Sequence, residues 1–294
     1  MTSAPCLFDQ VLLRQRLSRA IKTGPADFLL ERVAADLGER LQALVRRFDT
    51  VADLGTPGPH GAQELARSGR AQTILRVAPV EEAIGTGPWT GLVGDAGLIP
   101  FAPASLDAVV SLLALQTVDD LPGTFAQIRR ALKPDGLFMA CLLGGQTLIE
   151  LRDAFTRAES EMDGGISPRV APFADLRDLG GLLQRAGFAL PVADSEMITV
   201  RYGNPLSLLQ DLRAMGATNM LRERRKTPLK RATLMRALDL YQEQYADPDG
   251  RVRASFECLW ISGWTPHSSQ QKPLQPGTAK ARLADALRVP EQKL

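Results

Sequence analysis

Histidine is nearly missing from this chain. Among 294 residues there are two, His60 and His267, alongside three cysteines, Cys6, Cys141 and Cys258. Catalysis by a histidine pair has little to work with, and each histidine reads as a surface group. The cysteines stand apart, at spacings that fit neither a zinc site nor a disulfide framework, so reduced thiols are expected. Long apolar runs are missing too: none reaches the ~18 residues a membrane span requires. Arg14, Arg16 and Arg19 near the start are not followed by an apolar segment and a cleavage site, which argues against a secretory signal. Charge of one sign is also lacking. The formal net charge of +2 gives no reason to invoke nucleic acid or a membrane surface. No P-loop, H-E-x-x-H, G-x-S-x-G, paired C-x-x-C or internal repeat occurs.

What is present reads as one large domain, or a domain with an insertion. Residues 8–20 and 28–48 have the spacing of amphipathic helices. Apolar runs at 50–55, 73–78, 93–96, 106–115 and 137–143 predict core strands, and continuous apolar character suits parallel strands covered on both faces. Helices are expected at 62–68, 121–132, 148–161 and 175–186. Lys133, Pro134, Asp135 and Gly136 read as a turn. Strands at 193–202 and 255–263 follow, separated by helices at 205–215 and 233–245. The expected fold is therefore α/β: a doubly wound, seven-stranded, mostly parallel sheet with N-terminal helices and a helical insertion before the last strand. The divisions are a helical cap at 1–48, a core at 49–202, an insertion at 203–250 acting as lid or docking surface, the last strand at 251–266 and a flexible tail at 267–294. The basic run Arg222, Arg224, Arg225 and Lys226 in the insertion reads as a solvated face or a partner patch.

The stretch T-V-A-D-L-G-T-P-G-P-H-G runs from strand through glycine-containing loop to helix. Such a unit brings backbone N–H groups and a helix N-terminus to a polar ligand. With the apolar run ending near Asp95 and Ala96, it resembles the class I S-adenosylmethionine-dependent methyltransferases. The resemblance implies that Asp53, Gly55 and Gly58 hold the amino-acid end of S-adenosylmethionine. It also implies that Asp95 and Ala96 meet the adenine, with Leu115 close by. The alternative reading of Asp95 is a helix or turn cap. The usual motif is D-x-G-x-G-x-G, and here Pro57 and Pro59 stand at the later glycine places. Proline has no N–H and a fixed φ, so it supplies neither the donor nor the close approach. The second strand ends Val77-Ala78-Pro79, without the acid that would grip ribose hydroxyls. Glu81 and Glu82 follow late and read as solvated charges at a helix start.

Further segments sharpen the resemblance. In order come D-L-P-G-T-F-A-Q-I-R-R-A-L-K-P-D-G, G-G-Q-T-L-I-E-L-R, G-G-I-S-P-R-V-A-P-F, D-L-G-G-L-L-Q-R-A-G-F, D-L-R-A-M-G-A-T-N and S-G-W-T-P-H. Together they resemble the family of complex I assembly factor five, methyltransferase-like proteins of mitochondria and alphaproteobacteria. The family's opening pattern begins already at Phe8, which argues against a transit peptide and for a bacterial cytoplasm. The resemblance implies an assembly role with an iron–sulfur subunit of complex I as client, any membrane contact being made through that client. It further implies arginine hydroxylation rather than methylation. The alternatives are an active O-methyltransferase similar to the malonyl-carrier-protein enzyme of biotin synthesis, or a scaffold that has lost the cofactor. Gln116 stands in place of the family's histidine after the fourth strand, and Gln146 in place of its aspartate.

Overall fold

A computed structural model describes residues 6–271 of the chain. Seven strands form one sheet in the order β3-β2-β1-β4-β5-β7-β6. They are β1 (Phe48–Leu54), β2 (Ala71–Ala78), β3 (Thr90–Val93), β4 (Leu106–Leu112), β5 (Leu132–Leu143), β6 (Ala189–Tyr202) and β7 (Val252–Trp264). The first five pair in parallel. β7 enters antiparallel between β5 and β6. The order reverses beside β1, where β2 lies on one side and β4 on the other, and open α/β sheets bind ligands at such a switch point.

Eight helices accompany the sheet among the described residues: α1 (Gln10–Thr23), α2 (Phe28–Ala43), α3 (His60–Ser68), α4 (Leu121–Ala131), α5 (Ile149–Asp163), α6 (Leu176–Arg185), α7 (Pro205–Ala214) and α8 (Arg231–Tyr245). Side chains alternate across a strand, so neighbours such as Val109 and Val110 serve opposite layers. Val110 packs with Leu37, Leu65, Phe155 and Tyr241 under α2, α3, α5 and α8. Val109 packs with Phe125, Ile128, Leu179 and Leu183 under α4 and α6. Burying each such side chain contributes about 1.5–3 kcal/mol relative to exposure, which is why these strands are mainly apolar. α1 stands apart from both layers, seating Leu17 against Ala78 and Ala83.

Several boundaries differ from the sequence reading. The second helix ends at Ala43 rather than 48. Leu44 turns to extended backbone, and Val45, which continues the apolar spacing, is 94% exposed. β3 ends at Val93, so Asp95 and Ala96 stand in the loop beyond it. The expected turn at Lys133–Gly136 lies inside β5, where Asp135 has φ 62° and the β4 register shifts. The tail expected to be flexible falls largely on residues 272–294, outside the described ones.

Candidate functional site

The floor of the site is a knot of buried polar groups at the end of β1. Asp53 and Arg76 face each other across the β1–β2 register, and both are fully buried. The Arg76 Nη1 group pairs with the Asp53 carboxylate. Its Nη2 donates to the Thr56 carbonyl at 2.9 Å and its Nε to the Ile84 carbonyl at 3.0 Å. The Thr56 hydroxyl and the Ala62 N–H also donate to Asp53. Burial pushes the Asp53 carboxyl up, and the Arg76 guanidinium with these hydrogen bonds opposes it. The pair thus fastens the loop after β1 to the turn after β2. The sequence did offer a signal for it: an arginine inside the otherwise apolar T-I-L-R-V-A strand needs a buried acid as partner.

Gly55 follows with φ 74°. A Cβ there would come within 2.8 Å of the Ala96 Cβ and 3.1 Å of the Ala114 Cβ, so the close approach of three loops requires glycine. Above this point opens a cavity of about 890 Å³. Gly55, Pro57, Gly58, Asp95, Ala96 and Gln116 line one part of it; Arg169, Phe173, Leu209, Arg213, Met215 and Asn219 line another.

Four of the six residues read from the sequence, Gly55, Gly58, Asp95 and Ala96, therefore share one cavity. Asp53 and Leu115 are not among its lining residues. Asp53 is buried in the knot below, and Leu115, 1% exposed, packs with Phe125 and Leu106 in the α4 layer. Gln116, the next residue, lines the cavity instead, and its buried Oε1 has no partner among the described residues. Glu82, expected as a solvated charge, is also a lining residue. It accepts from Lys22 Nζ at 2.6 Å and Ser18 Oγ at 2.9 Å, both on α1. The Lys22 contact, a backbone N–H and Ser18 hold its carboxyl down at about 2. Asp95 accepts the Gly97 N–H at 2.8 Å, capping its turn, and meets Arg14 of α1 at 3.0 Å.

The far wall is built from the segments between α5 and α6 and after α7. Glu159 of α5 is fully buried. It accepts the Ser167 N–H at 2.7 Å and Arg169 Nε at 2.8 Å. Burial would push its carboxyl up, but the Ser167 backbone and Arg169 win and hold it below the ordinary range. Asn219 Nδ2 donates to the Pro168 carbonyl at 2.7 Å, and Arg16 of α1 donates to the Thr218 carbonyl at 2.7 Å. The basic run is split: Arg224 meets Asp9 at 3.1 Å and Arg225 meets Asp163 at 3.2 Å.

Residues 52–140 match the family model described as a methyltransferase domain. Among solved structures, a candidate methyltransferase of Bacillus halodurans superimposes with a TM-score of 0.54 at 17% identity, covering 79% of this chain and 98% of that one. The fold is thus that of class I methyltransferases. Arginine-hydroxylase NDUFAF5 of Danio rerio, a mitochondrial protein, is 33% identical over 96% of this chain and 90% of its own length. The human protein is 35% identical over 95% of this chain and 83% of its own length. This chain belongs to the NDUFAF5 family. The malonyl-[acyl-carrier protein] O-methyltransferase of Xylella fastidiosa is also similar, 34% identical over 89% of this chain and 90% of its own. Arg169 and Asn219, which line the cavity, lie in two of the sequence segments on which the resemblance rests. No helix among the described residues is long and apolar enough to cross a membrane.

Proposed function

We propose that this NDUFAF5-family chain is a methyltransferase-fold assembly factor for respiratory complex I. Its client is an iron–sulfur subunit of that complex, and the arginine-hydroxylase name of its relatives supports an arginine as the target. The protein works in the bacterial cytoplasm. The observation that carries the reading is the cavity itself. Its far wall is made of family segments and is held together by Glu159, Asn219 and Arg16, in a place that a client segment could enter.

S-Adenosylmethionine fits one half of the near wall and not the other. Gly55, Asp95 and the orphaned Gln116 Oε1 suit an adenosine group. Pro57 and Pro59 offer no N–H to the amino-acid end, and Arg14 already occupies Asp95. Each lost charge-assisted or backbone hydrogen bond is worth about 1.5–3 kcal/mol, so two weaken binding by roughly two to four powers of ten. The test is calorimetric titration with S-adenosylhomocysteine. Weak binding is expected, tightened by Arg14→Ala and weakened by Asp95→Ala; equal affinity in all three proteins removes Asp95 from the site. For the assembly role, a deletion strain with normal complex I activity would overturn the reading. O-methylation of a malonyl thioester is the second reading, favoured by the Xylella relative, and rescue of a biotin-requiring strain lacking its own enzyme would select it.

A further inference from the structure

Asp27, Glu31 and His60 meet where two packed helices begin. Asp27 is the N-cap residue of α2, Glu31 lies one turn further on, and His60 opens α3. One ligand-type atom from each lies within 4.8 Å of the others, and they form the only such trio of histidine, cysteine or acidic residues among the described residues. Asp27 and His60 line the cavity.

Glu31 stands in the first turn of α2, where the helix dipole favours an acid, but none of the three side chains makes a short hydrogen bond among the described residues. An N-cap aspartate usually accepts a helix N–H and gains about 1 kcal/mol by it. Asp27 makes no such bond. Its Oδ2 instead stands 3.4 Å from His60 Nε2, beyond the ~2.7–2.9 Å of a charge-assisted hydrogen bond. Among the described residues the Glu31 carboxylate has neither an ion pair nor a hydrogen bond. The His60 ring is 16% exposed, and its Nδ1 is buried without a partner. Two carboxylates thus sit beside an imidazole with no lysine or arginine between them. The N-terminal ends of α2 and α3 contribute about half a positive charge each, which offsets only half of the two negative charges.

We propose that Asp27, Glu31 and His60 bind a divalent first-row transition ion. The 3.4 Å separation of Oδ2 and Nε2 agrees with the edge of a tetrahedron built on bonds of about 2.0–2.1 Å. One imidazole nitrogen with two carboxylate oxygens suits Zn²⁺, Mn²⁺ or Fe²⁺ rather than a soft, thiolate-seeking ion. Three protein ligands leave a coordination position open toward the cavity, as in catalytic rather than structural metal sites. The ion also brings positive charge beside Pro57 and Pro59, where the backbone has no donor to offer an anionic group. The inference does not depend on the assembly reading.

Tag-free full-length protein, stripped with chelator, is titrated with Zn²⁺ against a chromophoric competitor, and with Co²⁺ followed by its visible bands. A single equivalent of tight binding is expected, with visible Co²⁺ bands of low-symmetry coordination. Glu31→Gln changes an exposed side chain and leaves the fold intact. It and His60→Ala each weaken binding by at least about tenfold, while Asp178→Asn, on α6, leaves it unchanged. No binding, or binding that Glu31→Gln leaves unchanged, overturns the proposal.

Discussion

Arg76 shows how a single residue carries the floor of the site. Removing one partner of a buried ion pair strands the other charge, at a cost of about 3–5 kcal/mol. Arg76→Met is therefore expected to lower stability by that amount, read from the urea midpoint. Adding Asp53→Asn recovers much of the loss, because the stranded carboxylate is gone. A loss under about 1 kcal/mol, the size of an ordinary substitution, would mean that water reaches Asp53. The sequence motif singled out Asp53 by its position along the chain. It could not tell which way the side chain points. The neighbour that turns it inward is an arginine on the next strand, 23 residues later. The direction of the Leu115 side chain was hidden for the same reason: it enters the α4 layer and leaves the cavity to Gln116.

At the scale of elements, the strands were legible because buried parallel strands leave mainly apolar runs, as in T-V-A-D-L and L-D-A-V-V-S-L, each with only two polar residues. Their ends were less so. Leu44 and Val45 extend the helical spacing of α2, yet the backbone has already left the helix there. The loop between α5 and α6 depends on one acid. Glu159→Gln replaces a carboxylate that holds Ser167 and Arg169, and charge-assisted bonds of this kind are worth about 1.5–3 kcal/mol. Amide exchange across residues 165–173 is therefore expected to quicken by about tenfold to a hundredfold. Unchanged protection would show that the loop is held by something other than Glu159. The sequence flagged this segment through its family pattern but not the acid beneath it, which lies eight residues before Ser167 on a helix face that looks ordinary.

Across the whole molecule, α1 is the element whose role was least legible, because its partners lie so far along the chain. Its contact to Glu82 gives a pH dependence with a definite sign. That carboxyl is held at about 2, below its ordinary 4.5, so the folded state binds fewer protons than the unfolded one. The stabilising contribution is complete above pH 4.5 and is lost as the pH falls toward about 2. Urea midpoints of the wild type and Glu82→Gln are expected to differ at neutral pH and to converge through that window; a constant gap would show that Lys22 and Ser18 do not act through the ionised carboxylate. The same helix reaches residues 218, 219 and 224, some 202 to 215 positions later. The contacts of α1 thus fall in two groups: those to Glu82 and Asp95 join it to residues made soon after it, and those to residues 218, 219 and 224 must await the segment after α7. Until that segment has been made, the cavity lacks the part of its wall that residues 215–220 supply opposite α1.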